Sequence, residues 1–486
     1  MTHDLLVIGG GINGCAIARE AALLGLSVLL VERDDLASHT SSASTKLIHG
    51  GLRYLEQYEF RLVREALGER ERMLAIAPHL VHPLTFVLPH DHAVRPWWLV
   101  RAGLWLYDAL GFDSSLPRSR SLRRDDTGYQ TPLRQAYRGF VYSDAWVDDA
   151  RLTVLNAVDA ADHGAEILTR TGFELAEQAG DHWRVTLSDG RTLEARAIVV
   201  AAGGWTTQAM TAMGVPPRGK LRLVRGSHIV VPELFEGDHA YILQQPDRRI
   251  VFAIPYPGGT MLGTTDVAVE DPSDARISPE ETQYLCDAAN RYFRRQVSPA
   301  EVVSDWSGIR ALYDDGAGSA AEVTRDYVLE LHDKGAPVLG VFGGKITTAR
   351  ALAEDALGRL APVLGFDAHP VSRARVLPGA MIADIETLAR QVAERWPFLD
   401  PHDIDRMARA YGSRLIELLD GVDSVRDLGR ALPGGMTERE ARFLHETEFA
   451  RAADDVLDRR TKLGLGMSEE ERRAFADWWA TAFPAG

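Results

Sequence analysis

The sequence predicts a mixed α/β fold built from a doubly wound nucleotide-binding domain, an interleaved antiparallel-sheet cap domain and a C-terminal helical domain. Three observations predict it. The chain opens with an apolar run, a glycine cluster, an Ala-rich stretch and a second apolar run, the β-α-β order of a sheet covered on both faces. Apolar segments ending in paired glycines return far downstream, and the residues between them carry short strand patterns with turn signals. Past Pro378 strand signals fade and helical periodicity dominates from Ile382 to Phe483.

Each element has its own signal. Leu5-Leu6-Val7-Ile8 is a short continuous apolar run that ends in glycines, the pattern of a buried parallel strand. Asn13 to Leu24 reads as a helix stopped by Gly25, and Ser27 to Glu32 as the second strand. A basic helical stretch is read from Leu55 to Ala75, with Arg61, Arg64, Arg70 and Arg72 beside Glu56, Glu59, Glu65 and Glu69 on its polar faces. Ala195 to Ala201 and Val338 to Phe342 look like returns to the first sheet, since each is apolar and runs into glycines. Ser227–Val231, Arg249–Ala253 and Thr260–Gly263 suggest a second, antiparallel sheet. These readings divide the chain into a discontinuous nucleotide-binding domain (1–60, 145–215 and 305–360), a substrate or cap domain (61–144 and 216–304) and a helical domain (375–486).

Composition bounds the function. The 486 residues are 45% hydrophobic and 25% charged, the balance of a globular protein with a sizeable core. A net charge of −15 argues against nucleic-acid binding, which needs clustered cation. Cys15 and Cys286 are the two cysteines, too few for a disulfide framework or a Cys-rich metal site. The apolar run begins almost at the first residue, with no basic region or cleavage site before it, so a cytoplasmic setting is expected.

Gly9, Gly11 and Gly14 supply the G-x-G-x-x-G spacing at the strand-to-helix turn. Such glycines allow a tight turn, backbone approach to a pyrophosphate and close helix–strand packing. Glu32, at the end of the second strand, is placed to accept hydrogen bonds from an adenosine ribose, and it disfavours a 2′-phosphate despite Arg33 beside it. The remaining sheet strands are scattered along the chain, and this organisation suits a flavoprotein better than a contiguous NAD domain. The stretch Ser38 to Tyr54 is rich in hydroxyls and small residues that let backbone pass close to a cofactor, and it offers Lys46, His49, Arg53 and Tyr54 together. His79, His82, His90 and His92 cluster without metal-ligand helical spacing, and no G-x-S-x-G elbow exists, so neither a metal centre nor a serine hydrolase is expected.

Over nearly its full length the chain resembles the FAD-dependent, respiratory glycerol-3-phosphate dehydrogenases. The resemblance rests on Gly9–Gly14, Ser41–Glu56, Tyr142–Leu152, Gly226–Pro232, Gly263–Asp266, Phe342–Thr348 and Ala452–Lys462. Two departures are Ala201-Ala202-Gly203-Gly204-Trp205, where the family often has Ala-Thr-Gly-Pro-Trp, and Ala349, where it has Tyr. The resemblance implies FAD as cofactor and oxidation of sn-glycerol 3-phosphate to dihydroxyacetone phosphate. Electrons would pass to a membrane quinone.

A phosphate dianion needs converging cationic donors. Arg53, Arg310 and Lys345 match the family's substrate positions, and Tyr54 adds a hydroxyl. His228 and His49 are both candidates for the base that takes the hydroxyl proton, with Arg310 beside them in the catalytic set. Lys345, Lys46 or the helix N-terminus after Gly344 could stabilise negative charge on the reduced flavin. Expected cofactor contacts are Gly9, Gly11, Ile12, Asn13, Gly14, Glu32 and Arg33, then Thr40, Ser44, Lys46, Leu47 and His49, then Ala202, Gly203, Gly344, Lys345, Ile346 and Thr347.

Trp97 to Phe112 is aromatic, apolar and too short to span a bilayer. Six arginines (95, 101, 118, 120, 123, 124) face Asp108 and Asp113 across Arg95–Arg124, a pattern that suits an interfacial helix on an anionic leaflet at the inner face of the cell membrane. A buried helix under the cap is the competing reading, and a homodimer is left open. Two other functions stand beside the main one: a glycerol-3-phosphate oxidase using dioxygen, and a flavin-binding protein without turnover.

Overall fold

A computed structural model describes residues 2–91, 95–135, 138–314 and 326–484, with the side chains of Arg53 and Gln57 outside that description. The first sheet runs in the order Val328–His332, Val338–Phe342, Thr192–Val200, Thr2–Ile8, Val28–Val31, Glu166–Leu168. Its four pairings from Val338–Phe342 to Glu166–Leu168 are parallel, and Val328–His332 closes the edge antiparallel. Leu5, Leu6 and Val7 are fully buried because both faces are covered. Helices Ile12–Leu23, Asp149–Asp162 and Ala349–Leu364 cover one face; the hairpin Phe173–Ala179/His182–Leu187 and helix Thr206–Ala212 cover the other.

The second sheet runs Val267–Val269, Lys220–Val231, Gly259–Gly263, Ile250–Tyr256, Ala240–Gln244, Val81–Pro89, Gly139–Val147, Leu47–Ile48. It is antiparallel except where Ala240–Gln244 meets Val81–Pro89. The mixed α/β fold with an added helical domain is therefore as the sequence predicts. Two details of strand allocation differ. Ser304–Asp314, expected in the first domain, pairs along its whole length with Lys220–Val231 in the second sheet. Gly139–Val147 belongs wholly to the second sheet, so the expected break at 145 falls inside a strand.

Helices Ile385–Arg395, Pro401–Tyr411, Glu438–Thr447 and Glu469–Ala482 pack around Trp396, Tyr411, Leu415, Phe475 and Trp479 as a separate core. This unit is joined to the first body by buried ions. Glu448 accepts from Arg151 and from Arg414 Nη1 (2.6 Å), while Arg151 Nη2 also donates to the Ala410 carbonyl at 2.9 Å. No helix among the described residues is long and apolar enough to cross a membrane.

Candidate active site

The two sheets enclose a cavity of about 1240 Å³, larger in volume than a drug-sized pocket and roomy enough for a dinucleotide with a small substrate. Its floor is the glycine turn. Gly9 has φ +112° and lies so close to the Thr192–Val200 strand end that a Cβ would sit 2.6 Å from the Ala201 carbonyl oxygen. A Cβ on Gly14 would sit 1.9 Å from the Gly9 carbonyl oxygen, so Gly14 packs helix against strand and does not itself line the cavity. Gly11 caps the following helix, and the Ile12 amide donates to Ser41 Oγ at 2.9 Å, which ties the hydroxyl-rich segment to the helix start.

Glu32 sits at the cavity wall, where its carboxylate accepts from the Gly10 amide (2.6 Å) and the Asp34 amide (2.9 Å). Burial raises its pKa, opposed by those two hydrogen bonds. Its remaining lone pairs are available to a sugar hydroxyl. Arg33 stacks over Trp205 at 4.1 Å, and His39 lies against the same indole. The described residues thus fit FAD: a side-chain-free phosphate turn at a helix N-terminus, a carboxylate at the ribose distance, and an aromatic wall beyond it.

Thr40, Ser44, Leu47 and His49 line the cavity, as do Asn13, Ala202, Gly203, Gly344, Lys345, Ile346 and Thr347. Asn13 Nδ2 donates to the Gly343 carbonyl at 3.1 Å, bridging the first glycine turn to the last. Lys46 departs from expectation. Its ammonium is buried against Asp149 (2.9 and 3.0 Å) and the Ser42 carbonyl, and it is absent from the cavity wall. An acid a hundred residues away, Asp149 at the start of the helix Asp149–Asp162, takes its charge, so the Lys46 side chain braces the loop and does not line the cavity.

Lys345 is placed otherwise. Its Nζ is shut off from solvent, has no hydrogen-bond partner among the described residues, and sits 4.0 Å from the Tyr54 ring centroid. Arg310, on Ser304–Asp314, donates to Asp266 and to Thr264 Oγ1 (2.8 Å) and lines the same cavity. Arg53 belongs to the turn Leu52–Gln57, and its side chain lies outside the described residues.

His228 lies in register with Trp306 on one neighbouring strand and Gly263 on the other. Its Nε2 is 3.0 Å from Thr45 Oγ1, its ring stacks on Trp306, and its Nδ1 has no partner among the described residues. Burial, then the charges of Arg310 and Lys46, push its pKa far below the ordinary histidine range, so the imidazole is neutral. His49 is half-buried in the wall of the same cavity.

Several functional residues carry no obvious sequence signal. Gly263 is one: a Cβ there would meet the His228 ring at 2.0 Å. Gly226 is another, since a Cβ would meet Arg310 Nη2 at 2.2 Å. A glycine inside a strand pattern marks such a close approach, and both flank His228 in the sheet.

The family model of FAD dependent oxidoreductases matches residues 4–350, and that of the C-terminal domain of alpha-glycerophosphate oxidase matches 371–478. A glycerol-3-phosphate dehydrogenase of Pseudomonas aeruginosa is 49% identical over 99% of this chain and 96% of its own. The chain belongs to the FAD-dependent glycerol-3-phosphate dehydrogenase family. Within that family, the aerobic glycerol-3-phosphate dehydrogenase of Escherichia coli is 45% identical over 98% of this chain and 97% of its own. A D-erythritol 1-phosphate dehydrogenase of Brucella abortus is 46% identical over 99% and 98%. The FAD-complexed glycerol-3-phosphate dehydrogenase of Bacillus halodurans has the same fold (TM-score 0.77, 26% identity, covering 99% of this chain and 91% of that one). FAD is the cofactor of this family member, and the site described above is built for it.

Proposed function

We propose that this chain oxidises sn-glycerol 3-phosphate to dihydroxyacetone phosphate and passes the electrons to a membrane quinone. The observation that carries the reading is the Lys345 ammonium, held without a hydrogen-bond partner among the described residues in the cavity that also holds Arg310 and neutral His228. A buried ammonium without a partner is costly and is retained where an anion completes it. The names of the relatives at 49% and 45% identity support the three-carbon phosphate. A four-carbon polyol phosphate is the second reading, favoured by the relative at 46%.

Bound FAD supplies the two-electron acceptor for the hydrogen on the substrate's C2. Lys345 and Arg310, with Arg53, bind the phosphate and the Tyr54 hydroxyl orients it. His228 accepts the C2 hydroxyl proton. The dianion beside it offsets the charges of Arg310 and Lys46 that otherwise depress its basicity. His49, in the wall of the same cavity, orients the C1 hydroxyl.

The electron acceptor reaches the cavity from the membrane side. Leu99, Val100, Gly103 and Leu106 of helix Trp97–Leu110 line an apolar arm of the cavity, while Trp98 (69% exposed) and Trp105 (65%) face outward from the same helix. This arrangement fits an interfacial helix at the inner leaflet. Its cationic surplus is smaller than the sequence count. Arg95 pairs with Glu56 and Arg120 with Asp126, and Arg118, Arg123 and Arg124 are exposed for lipid headgroups.

The deciding experiment is an anaerobic titration of the flavin absorbance. Glycerol 3-phosphate bleaches it, erythritol 1-phosphate competes, and glycerol and lactate leave it unchanged; bleaching by lactate, or none by either phosphate, sinks the reading. Peroxide release during quinone-free turnover would move the acceptor to dioxygen.

A further inference from the structure

The turn that follows Glu32 is held from two sides. On the cofactor side, the Gly10 amide donates to Glu32, the Ala37 amide donates to the Gly10 carbonyl at 3.0 Å, and the Leu36 side chain lies over Gly10. On the other side the holding groups come from the C-terminal helical domain. Asp35, 1% exposed, accepts from Arg460 Nη2 (2.8 Å) and Nη1 and from Arg459 Nε (2.6 Å). Arg459 Nη2 also donates to Asp455 (2.6 Å), which receives Arg170 Nη2, and the Arg170 amide donates to the Asp34 carbonyl at 2.9 Å. Arg460 is anchored in turn on the Glu448 carbonyl at 2.8 Å. Asp455–Arg460 forms a wide π-helical turn, a local geometry common at functional sites, and it presents Asp455, Arg459 and Arg460 together.

The arrangement is specific in its chemistry. Asp35 does not face the cavity, and burial alone would push its carboxyl up; the charges and hydrogen bonds of Arg460 and Arg459 more than reverse this and keep it ionised. A planar guanidinium fork on a carboxylate fixes orientation as well as charge. The orientation fixed here is that of the three residues directly after the ribose carboxylate.

We propose that Arg459 and Arg460 are positioning residues for the adenosine half of FAD, and that the C-terminal helical domain thereby retains the cofactor. It sets the Glu32–Ala37 turn through Asp35 without touching the ligand. Glu32 stays at ribose distance only while that turn is held against the glycine loop.

The test uses the full chain stripped of flavin and reconstituted, with binding read by flavin fluorescence. ADP probes the adenosine half and FMN the isoalloxazine half. In Arg459→Gln, whose side chain is part-exposed, the Kd for FAD and for ADP should both rise about tenfold, the order given by losing one hydrogen bond to a charged group. FMN affinity should stay at its wild-type value, so the loss is confined to the adenosine half even where the apoprotein melts lower. Arg459→Lys, which keeps the charge without the fork, should fall between. If Arg459→Gln does not fold, Arg170→Gln loosens the same turn through Asp455 from a side chain that is 42% exposed, and it should weaken ADP more than FMN. FAD and ADP affinities unchanged in the folded variants, or FMN weakened as much as ADP together with a lower apoprotein melting temperature, would overturn the proposal.

Discussion

Replacing Lys345 with Met should separate binding from stability, and the two effects should have opposite signs. Met keeps the unbranched stem and removes the ammonium. In the unliganded protein that ammonium has no hydrogen-bond partner among the described residues and is offset by the Tyr54 ring at 4.0 Å, a desolvated cation–π contact of about 2 kcal/mol. Burying a charge without a partner costs several kcal/mol, so removing it should stabilise the apoprotein by about 1 kcal/mol or more. Toward the phosphate the same change removes a charge-assisted hydrogen bond of about 1.5–3 kcal/mol, or roughly 10- to 150-fold in kcat/KM. Steady-state kinetics with a soluble quinone analogue measures the second effect, and thermal unfolding of flavin-free protein measures the first. A variant that loses activity and also melts lower would make Lys345 a structural residue, and unchanged kcat/KM would remove it from the site.

Other outcomes follow from the same geometry. Glu448→Gln leaves Arg151 and Arg414 without a buried counter-ion and should lower stability by about 3–5 kcal/mol, read by urea unfolding. Burial pushes Glu448 up, but the charges of Arg151 and Arg414 carry its pKa from 4.5 to about 2. Its folded pKa lies below the unfolded one, so its contribution is complete above about 4.5 and is lost as pH falls toward 2; an acid-unfolding midpoint moved downward in Glu448→Gln would contradict this sign. Gly14→Ala places a methyl against the Gly9 carbonyl and should yield protein that purifies without yellow colour, checked by the flavin-to-protein absorbance ratio. Because His228 is neutral in the free enzyme, the acid limb of kcat/KM should lie below the ordinary histidine range, and a limb within that range would remove His228 as the base.

Much of this was legible in the sequence because the signals are local. The glycine spacing, Glu32 and the strand at Leu5–Ile8 each need only a few neighbours to be read, and the cavity brings nearly all the expected cofactor residues together. Lys46 was misread for the opposite reason. Its partner Asp149 is far along the chain, and a lysine in a Ser-rich loop looks the same whether it faces a cofactor or a buried acid. Ser304–Asp314 was misallocated because extended conformation does not name its sheet; only the pairing with Lys220–Val231 does. The charge count around Trp97–Phe112 stopped one residue short of Asp125 and Asp126, and Glu56 lies outside any such window. The arginines on Asp35 are legible only once the C-terminal helices are docked.

The order of the first sheet constrains how the protein can be made. Thr2–Ile8 sits between Val28–Val31 and Thr192–Val200, and the latter needs Val338–Phe342 on its far side. Roughly two-thirds of the chain must leave the ribosome before the central layer can close, and until then apolar strand edges stand open. Contacts of such long sequence separation form slowly and leave intermediates prone to association. Yield in the cell should therefore respond to chaperone supply and translation rate more than to substitutions on the finished surface.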